Sequence, residues 1–201
     1  MCGIVGIAQQ PDCHRYGRAD LERMADRIVH RGPDDDGFYK DGDVLFGMRR
    51  LYIIEIDGVI QPISNEDKTN WVINNGEIFN YRALLKGLVA RGHNFSTKSD
   101  TEVIVHLYEE MGERFLEKIE VMFALAIWDA TKRKLIVARD RMGIKPLYIW
   151  RFNGGMAFAS EIQSFLDLDG FEAAVSGGAL LDHIAIGYST GPATIFDGVE
   201  K

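Results

Sequence analysis

Positive charge is in short supply in this 201-residue chain, with 23 Lys and Arg against 30 Asp and Glu and a formal net charge of −7. That balance argues against nucleic acid or an anionic membrane surface as a partner, since both attract clustered cations. No apolar run approaches the roughly 18–20 residues that span a bilayer. The N-terminus lacks the basic stretch and apolar core of a secretion signal. Cysteine is scarce: Cys2 and Cys13 are the only two. A disulfide between them is not expected in a chain of cytoplasmic character, where thiols stay reduced. His14, His30, His93, His106 and His183 stand at no ligand spacing, so no metal site is expected. No Walker-type phosphate loop, internal repeat, low-complexity tract or linker is present. Ser176-Gly177-Gly178 starts like a pyrophosphatase-type ATP loop, but Ala179-Leu180 lack the acidic and hydroxyl residues that should follow, which leaves a helix-entry turn.

What is present is an ordinary globular composition, 46% hydrophobic and 26% charged, at a length that fits one substantial domain. Gly3–Ala8 is a small, apolar, β-branched run that predicts a strand. Leu21, Met24, Ala25 and Ile28 fall at helical spacing behind a cap at Asp20. A polar loop over His30–Gly37 follows. Strands are then predicted near Gly37–Lys40, Val44–Met48 and Trp71–Asn74, with a further apolar run over Leu51–Ile56. Helical periodicity covers Tyr81–Arg91 and Thr101–Met111, with a short helix at Glu113–Ile119. Strands return at Met122–Trp128, Lys134–Ala138, Leu147–Trp150 and Met156–Ala159. Glu161–Leu168 and Gly178–Gly187 look helical. Antiparallel strands with helices grouped between them suggest a layered α+β fold.

The second residue carries the most chemistry. A small residue after the initiator Met usually allows the Met to be removed, leaving Cys2 with a thiol and a free α-amine. A terminal amine can act as base for its own side chain. A thiol that cleaves an amide also needs oxyanion donors and groups that hold the substrate. Asn75-Gly76 offers a side-chain amide and a backbone N–H, although an Asn-Gly pair after a strand is also a common turn. Arg50 could fork onto a carboxylate, or serve as a surface or structural arginine. Asp100, in Ser99-Asp100-Thr101-Glu102, could meet an ammonium, or belong to a helix cap. An Arg and an Asp at one site would suit the two ends of an α-amino acid.

Taken together and in order, Cys2-Gly3-Ile4-Val5-Gly6, Arg31-Gly32-Pro33-Asp34, Arg50-Leu51, Asn75-Gly76-Glu77-Ile78-Phe79-Asn80-Tyr81, Ser99-Asp100-Thr101-Glu102, Arg139-Asp140-Arg141-Met142-Gly143-Ile144-Lys145-Pro146-Leu147-Tyr148 and Phe158-Ala159-Ser160-Glu161-Ile162 resemble the glutaminase domain of class II glutamine amidotransferases of the asparagine synthetase type. The resemblance covers nearly the whole chain. It implies an N-terminal-nucleophile hydrolase fold, a four-layer αββα sandwich with two antiparallel sheets. It implies that Cys2 attacks the side-chain amide of L-glutamine, with Asn75 and the Gly76 N–H on the oxyanion. Arg50 would take the α-carboxylate, Glu77 and Asp100 the α-amine side, and backbone near Ile53 and Ile54 further contacts. The Arg-Gly-Pro-Asp loop would cover the site. The glutaminase chemistry would need no cofactor. ATP and magnesium would belong to a C-terminal synthetase domain of a longer parent chain, with aspartate the default ammonia acceptor. Self-association is left open.

The chain departs from the family pattern after Arg50-Leu51, where Tyr52-Ile53-Ile54-Glu55 replaces the usual Ser-Ile-Ile-Asp, and the 57–61 loop is unusual. Two other readings stay in play: an N-terminal-nucleophile hydrolase of a different amide, and a non-catalytic regulatory domain.

Overall fold

A computed structural model describes residues 1–13, 15–52 and 59–201. Strand β1 (Gly3–Gln9) is interior to a six-stranded sheet. It pairs antiparallel with β3 (Val44–Arg50) on one side and β9 (Gly155–Ala159) on the other. β2 (Asp35–Asp41) closes one edge, and β8 (Tyr148–Phe152) and β10 (Val199–Glu200) the other. A four-stranded antiparallel sheet orders as β4 (Ile63–Ser64), β5 (Asn70–Ile78), β6 (Val121–Asp129) and β7 (Lys134–Arg139).

Strand alternation sorts the side chains into three apolar layers. Ile4, Phe46 and Met48 from the first sheet meet Ile73, Ala124 and Ala126 from the second, so the sheets pack face to face. Val5, Ile7 and Leu45 point the other way, onto Leu21, Met24 and Ala25 of α1 (Arg18–Asp26). Val72, Leu125 and Ile127 point onto α2 (Tyr81–Ala90) and α3 (Glu102–Met111), through Leu88, Val103 and Leu107. The order is helix, sheet, sheet, helix, the four-layer α+β sandwich the resemblance implied. Gly6 is required where it stands: a Cβ there would lie 2.1 Å from the Phe158 ring. α4 (Gly177–Ile186) lies at the periphery with only Ala179 buried.

Three local expectations need correction. α1 starts after Gly17, and Asp20 sits inside the first turn, accepting the Gly17 N–H at 2.7 Å. The polar loop ends early, because β2 begins at Asp35 and pairs Asp35 with Arg50. Glu161–Leu168 and Glu113–Ile119 contain only short 3-10 segments, Ile162–Phe165 and Gly112–Glu117. Most of the Leu51–Ile56 run lies outside the described residues. Among the described residues no helix is long and apolar enough to cross a membrane.

Candidate active site

Register decides what meets at the open end between the sheets. Gly3 pairs with Arg49, so Cys2 and Arg50 lie one step further, on the parity of Ile4 and Met48, which face the second sheet. Cys2 is half-buried against that layer. Its carbonyl accepts the Arg31 Nε–H at 3.0 Å, and its thiol lies 3.8 Å from the Leu51 carbonyl oxygen. Arg31 in turn pairs with Glu161 at 2.9 Å. Burial pushes the Glu161 carboxyl up, but hydrogen bonds from Arg31, His30 and Gln163 outweigh it and hold it below the usual range. The start of β1 is therefore tied down. Met1 is 54% exposed and open to removal.

From the second sheet come Asn74 to Glu77. The Asn-Gly turn that these residues suggest in isolation does not form. β5 runs on through Ile78, with Asn75 opposite Ala124 and Gly76 opposite Phe123. A Cβ on Gly76 would lie 2.4 Å from the Met122 carbonyl oxygen, so no other residue fits the ladder unchanged. Asn75 is 2% exposed, and its Nδ2 is a buried donor with no hydrogen-bond partner among the described residues. A buried amide N–H₂ left unpaired costs stability, and such donors are the kind that stabilise an oxyanion.

Asp100 approaches from the turn before α3 and accepts the Ile78 N–H at 2.8 Å. Burial lifts its carboxyl above the usual range against that bond and one from Thr101, and the Glu77 charge adds to the rise. Thr101, not Asp100, is the cap residue of α3. Glu102 holds the adjoining segment: its carboxylate accepts from the backbone and hydroxyls of Ser96 and Thr97. Burial works against ionisation there, but the His106 imidazole, 3.8 Å away, and hydrogen bonds from Thr97 and Ser96 bring the Glu102 carboxyl to about 2.

Cys2, Arg50, Gly76, Glu77 and Asp100 share the lining of one cavity of about 360 Å³. Asn75 does not line it; its side chain lies on the opposite face of β5 from Asn74, which does. Ile53 and Ile54 lie outside the described residues. The Arg31–Asp34 loop contributes no lining residue. It is clamped to β3 instead, through Asp34 N–H to the Arg50 carbonyl at 3.1 Å. Tyr52, the departure from the family pattern, stands beside Arg50: the guanidinium carbon lies 5.1 Å from its ring centroid. The Tyr52 hydroxyl donates to Asp35 at 2.5 Å, and its N–H to Asp34 at 2.7 Å.

Sequence reasoning missed Gln61. Its amide brackets Asn74, accepting the Asn74 N–H at 2.6 Å and donating to the Asn74 carbonyl at 3.3 Å, and it also reaches the Thr101 hydroxyl at 3.3 Å. All three residues line the cavity. Nothing in the sequence around Gln61 signals this. Sequence spacing also failed to show that His93 and His106 come together, with ring centroids 4.9 Å apart.

Comparison with known proteins places the chain in a family. The family model of the glutamine amidotransferase domain matches residues 1–201. Asparagine synthetase [glutamine-hydrolyzing] 1 of Bacillus subtilis is 40% identical over 203 residues, covering 100% of this chain and 32% of that protein. Asparagine synthetase [glutamine-hydrolyzing] 2 of the same organism is 46% identical over 166 residues, 82% of this chain and 22% of that protein. The chain thus spans about a third or less of the length of these relatives. Among solved structures, glutamine phosphoribosylpyrophosphate amidotransferase from B. subtilis superposes with a TM-score of 0.68 at 22% identity, over 83% of this chain and 43% of that one. That likeness shows the N-terminal-nucleophile type of fold.

Proposed function

Because this chain belongs to the glutamine amidotransferase domain family, we propose that it hydrolyses L-glutamine to glutamate and ammonia through the thiol of Cys2. The observation that carries this reading is the meeting of Cys2 with Arg50, Glu77 and Asp100 around one small-molecule-sized cavity. Once Met1 is gone, the Cys2 α-amine takes the thiol proton and Sγ attacks the side-chain amide carbon. The Gly76 N–H on the cavity wall, with the buried and unpartnered Asn75 Nδ2–H next to it in β5, would supply the donors for the tetrahedral oxyanion. The amine returns the proton to the leaving nitrogen, and ammonia departs from a γ-glutamyl thioester. Water, deprotonated by the same amine, then releases glutamate and restores the thiol. Arg50 holds the substrate carboxylate, while Glu77 and Asp100 hold its ammonium.

In the parent protein the ammonia would pass to a C-terminal ATP- and magnesium-dependent synthetase domain that amidates an acceptor such as aspartate. The names of the relatives and their greater length support this. So do the exposed apolar side chains of α4, Leu181 and Ile184 at 68% and 73% exposure, a face suited to contact with further protein.

The test is steady-state glutamine hydrolysis. Cys2→Ala should reduce turnover to background with an unchanged melting temperature. Arg50→Ala should raise the glutamine KM by roughly 10-fold or more, the effect of losing a charged hydrogen bond. Full activity in Cys2→Ala, or turnover of bulky γ-glutamyl amides in place of glutamine, contradicts the reading.

A further inference from the structure

The fold gathers four ligand-type side chains that are far apart in the sequence and away from the cavity. Glu66 stands in the turn before β5, His93 in the segment after α2, and His106 and Glu109 on α3. One ligand atom from each lies within 4.8 Å of the other three. We propose that Glu66, His93, His106 and Glu109 form a structural binding site for a divalent metal ion of the zinc class.

The spacing fits. Ligands 2.0–2.2 Å from a tetrahedral zinc stand about 3.3–3.5 Å from one another. Here His106 Nδ1 lies 3.0 Å from Glu109 Oε2 and 3.6 Å from Glu66 Oε2, and His93 Nδ1 lies 3.6 Å from Glu109 Oε2. The donor set suits the ion, since two imidazoles and two carboxylates are a zinc-type combination. With both imidazoles neutral, the carboxylates balance a 2+ charge.

The second, independent observation is the orientation of each ligand from behind. Glu66 Oε1 accepts the Asn94 N–H at 2.8 Å, and Glu109 Oε1 accepts from Asn65 Nδ2 at 2.6 Å. His93 Nε2 lies 3.2 Å from Glu110 Oε1. His106 Nε2, fully buried and with no hydrogen-bond partner, faces the buried Glu102 carboxylate at 3.8 Å. Every ligand therefore has its far polar atom directed to another group and its near atom turned to the centre. Outer-shell carboxylates behind histidines and donors behind carboxylates are how protein metal sites fix their ligands. An entry path exists too: Glu66 and Glu109 are 38% and 25% exposed, whereas His106 is buried. Four protein ligands fill a tetrahedron, which makes the role structural. The ion would pin the Glu66 turn and the His93 segment to α3, whose first turn adjoins the Asp100 wall of the cavity.

The test uses chelator-stripped protein in the Cys2→Ala, Cys13→Ala background, so that thiols cannot hold metal. Added Zn²⁺ should be retained at one per chain through gel filtration and should raise the melting temperature by several degrees. Co²⁺ should give the intense visible bands of a four-coordinate site. His93→Gln and Glu109→Gln should each weaken zinc binding by about 10-fold or more and abolish the thermal shift. The Co²⁺ spectrum of the unsubstituted site is the control should a variant fold poorly. No stoichiometric retention of Zn²⁺, a six-coordinate Co²⁺ spectrum, or binding unchanged in both variants overturns the proposal.

Discussion

Asp100 is the side chain whose environment makes the sharpest demand. Its carboxyl is raised above the usual range by burial, so folding favours its protonated form. The sign follows: its contribution to stability is greatest below the unfolded value near 3.8, and declines as pH rises through the raised folded value. Binding a substrate ammonium needs the ionised form. Glutamine KM should therefore rise as pH falls toward the raised Asp100 value, at a pH above that of an ordinary aspartate. In Asp100→Asn the KM should be high throughout and that acid limb absent; an unchanged limb would remove Asp100 from substrate binding. Cys2, Arg50 and Asp100 stood out in the sequence because the motifs that hold them, apolar after Cys2 and polar around Arg50 and Asp100, follow one another in a characteristic order. Gln61 was not, because an isolated amide in a loop has no pattern, and its partners Asn74 and Thr101 are 13 and 40 residues away. Tyr52 was visible as a departure, yet its place beside Arg50 and its bond to Asp35 depend on the β2–β3 register.

The elements follow local pattern where burial is one-sided and depart from it where pairing continues through polar residues. The apolar alternation of β3 stops at Met48, but Arg49 and Arg50 stay in the strand because Asp36 and Asp35 pair with them. β5 likewise carries Asn74 through Glu77 because β6 supplies a continuous partner from Leu125 to Met122. That is why the Asn-Gly dipeptide does not turn: its local preference is overridden by a ladder set elsewhere in the chain. β10 was missed because two residues, Val199 and Glu200, carry no periodicity. Gly76→Ala tests the ladder. The new Cβ would stand 2.4 Å from the Met122 carbonyl oxygen, and the strands would have to part. Stability should fall by about 1–3 kcal/mol, a drop in melting temperature of roughly 2–12 °C, with loss of glutamine hydrolysis. A melting curve that superposes on that of the unsubstituted protein would show that the ladder yields freely.

At the scale of the whole molecule, the sandwich opens a cavity at one end of its inter-sheet layer and leaves α4 at the periphery. The αββα order could be expected from the resemblance. The alternation of small and apolar residues alone indicated only antiparallel strands with helices between them. α4 looked like any apolar helix in the sequence, and its exposure became visible only with the fold. Replacing Leu181 and Ile184 by Gln should leave the melting temperature within about 1 °C, as surface changes do. A marked loss of stability would mean that the helix is part of the core. Everything proposed for this site depends on Cys2 becoming an N-terminal nucleophile beside a cavity that admits glutamine. Intact mass and peptide mapping after incubation with a diazo-ketone analogue of glutamine test it most directly. Loss of Met1 and a single adduct on Cys2, suppressed by excess glutamine, are the expected outcome. Protein lacking Met1 that gains no adduct on Cys2 would contradict it.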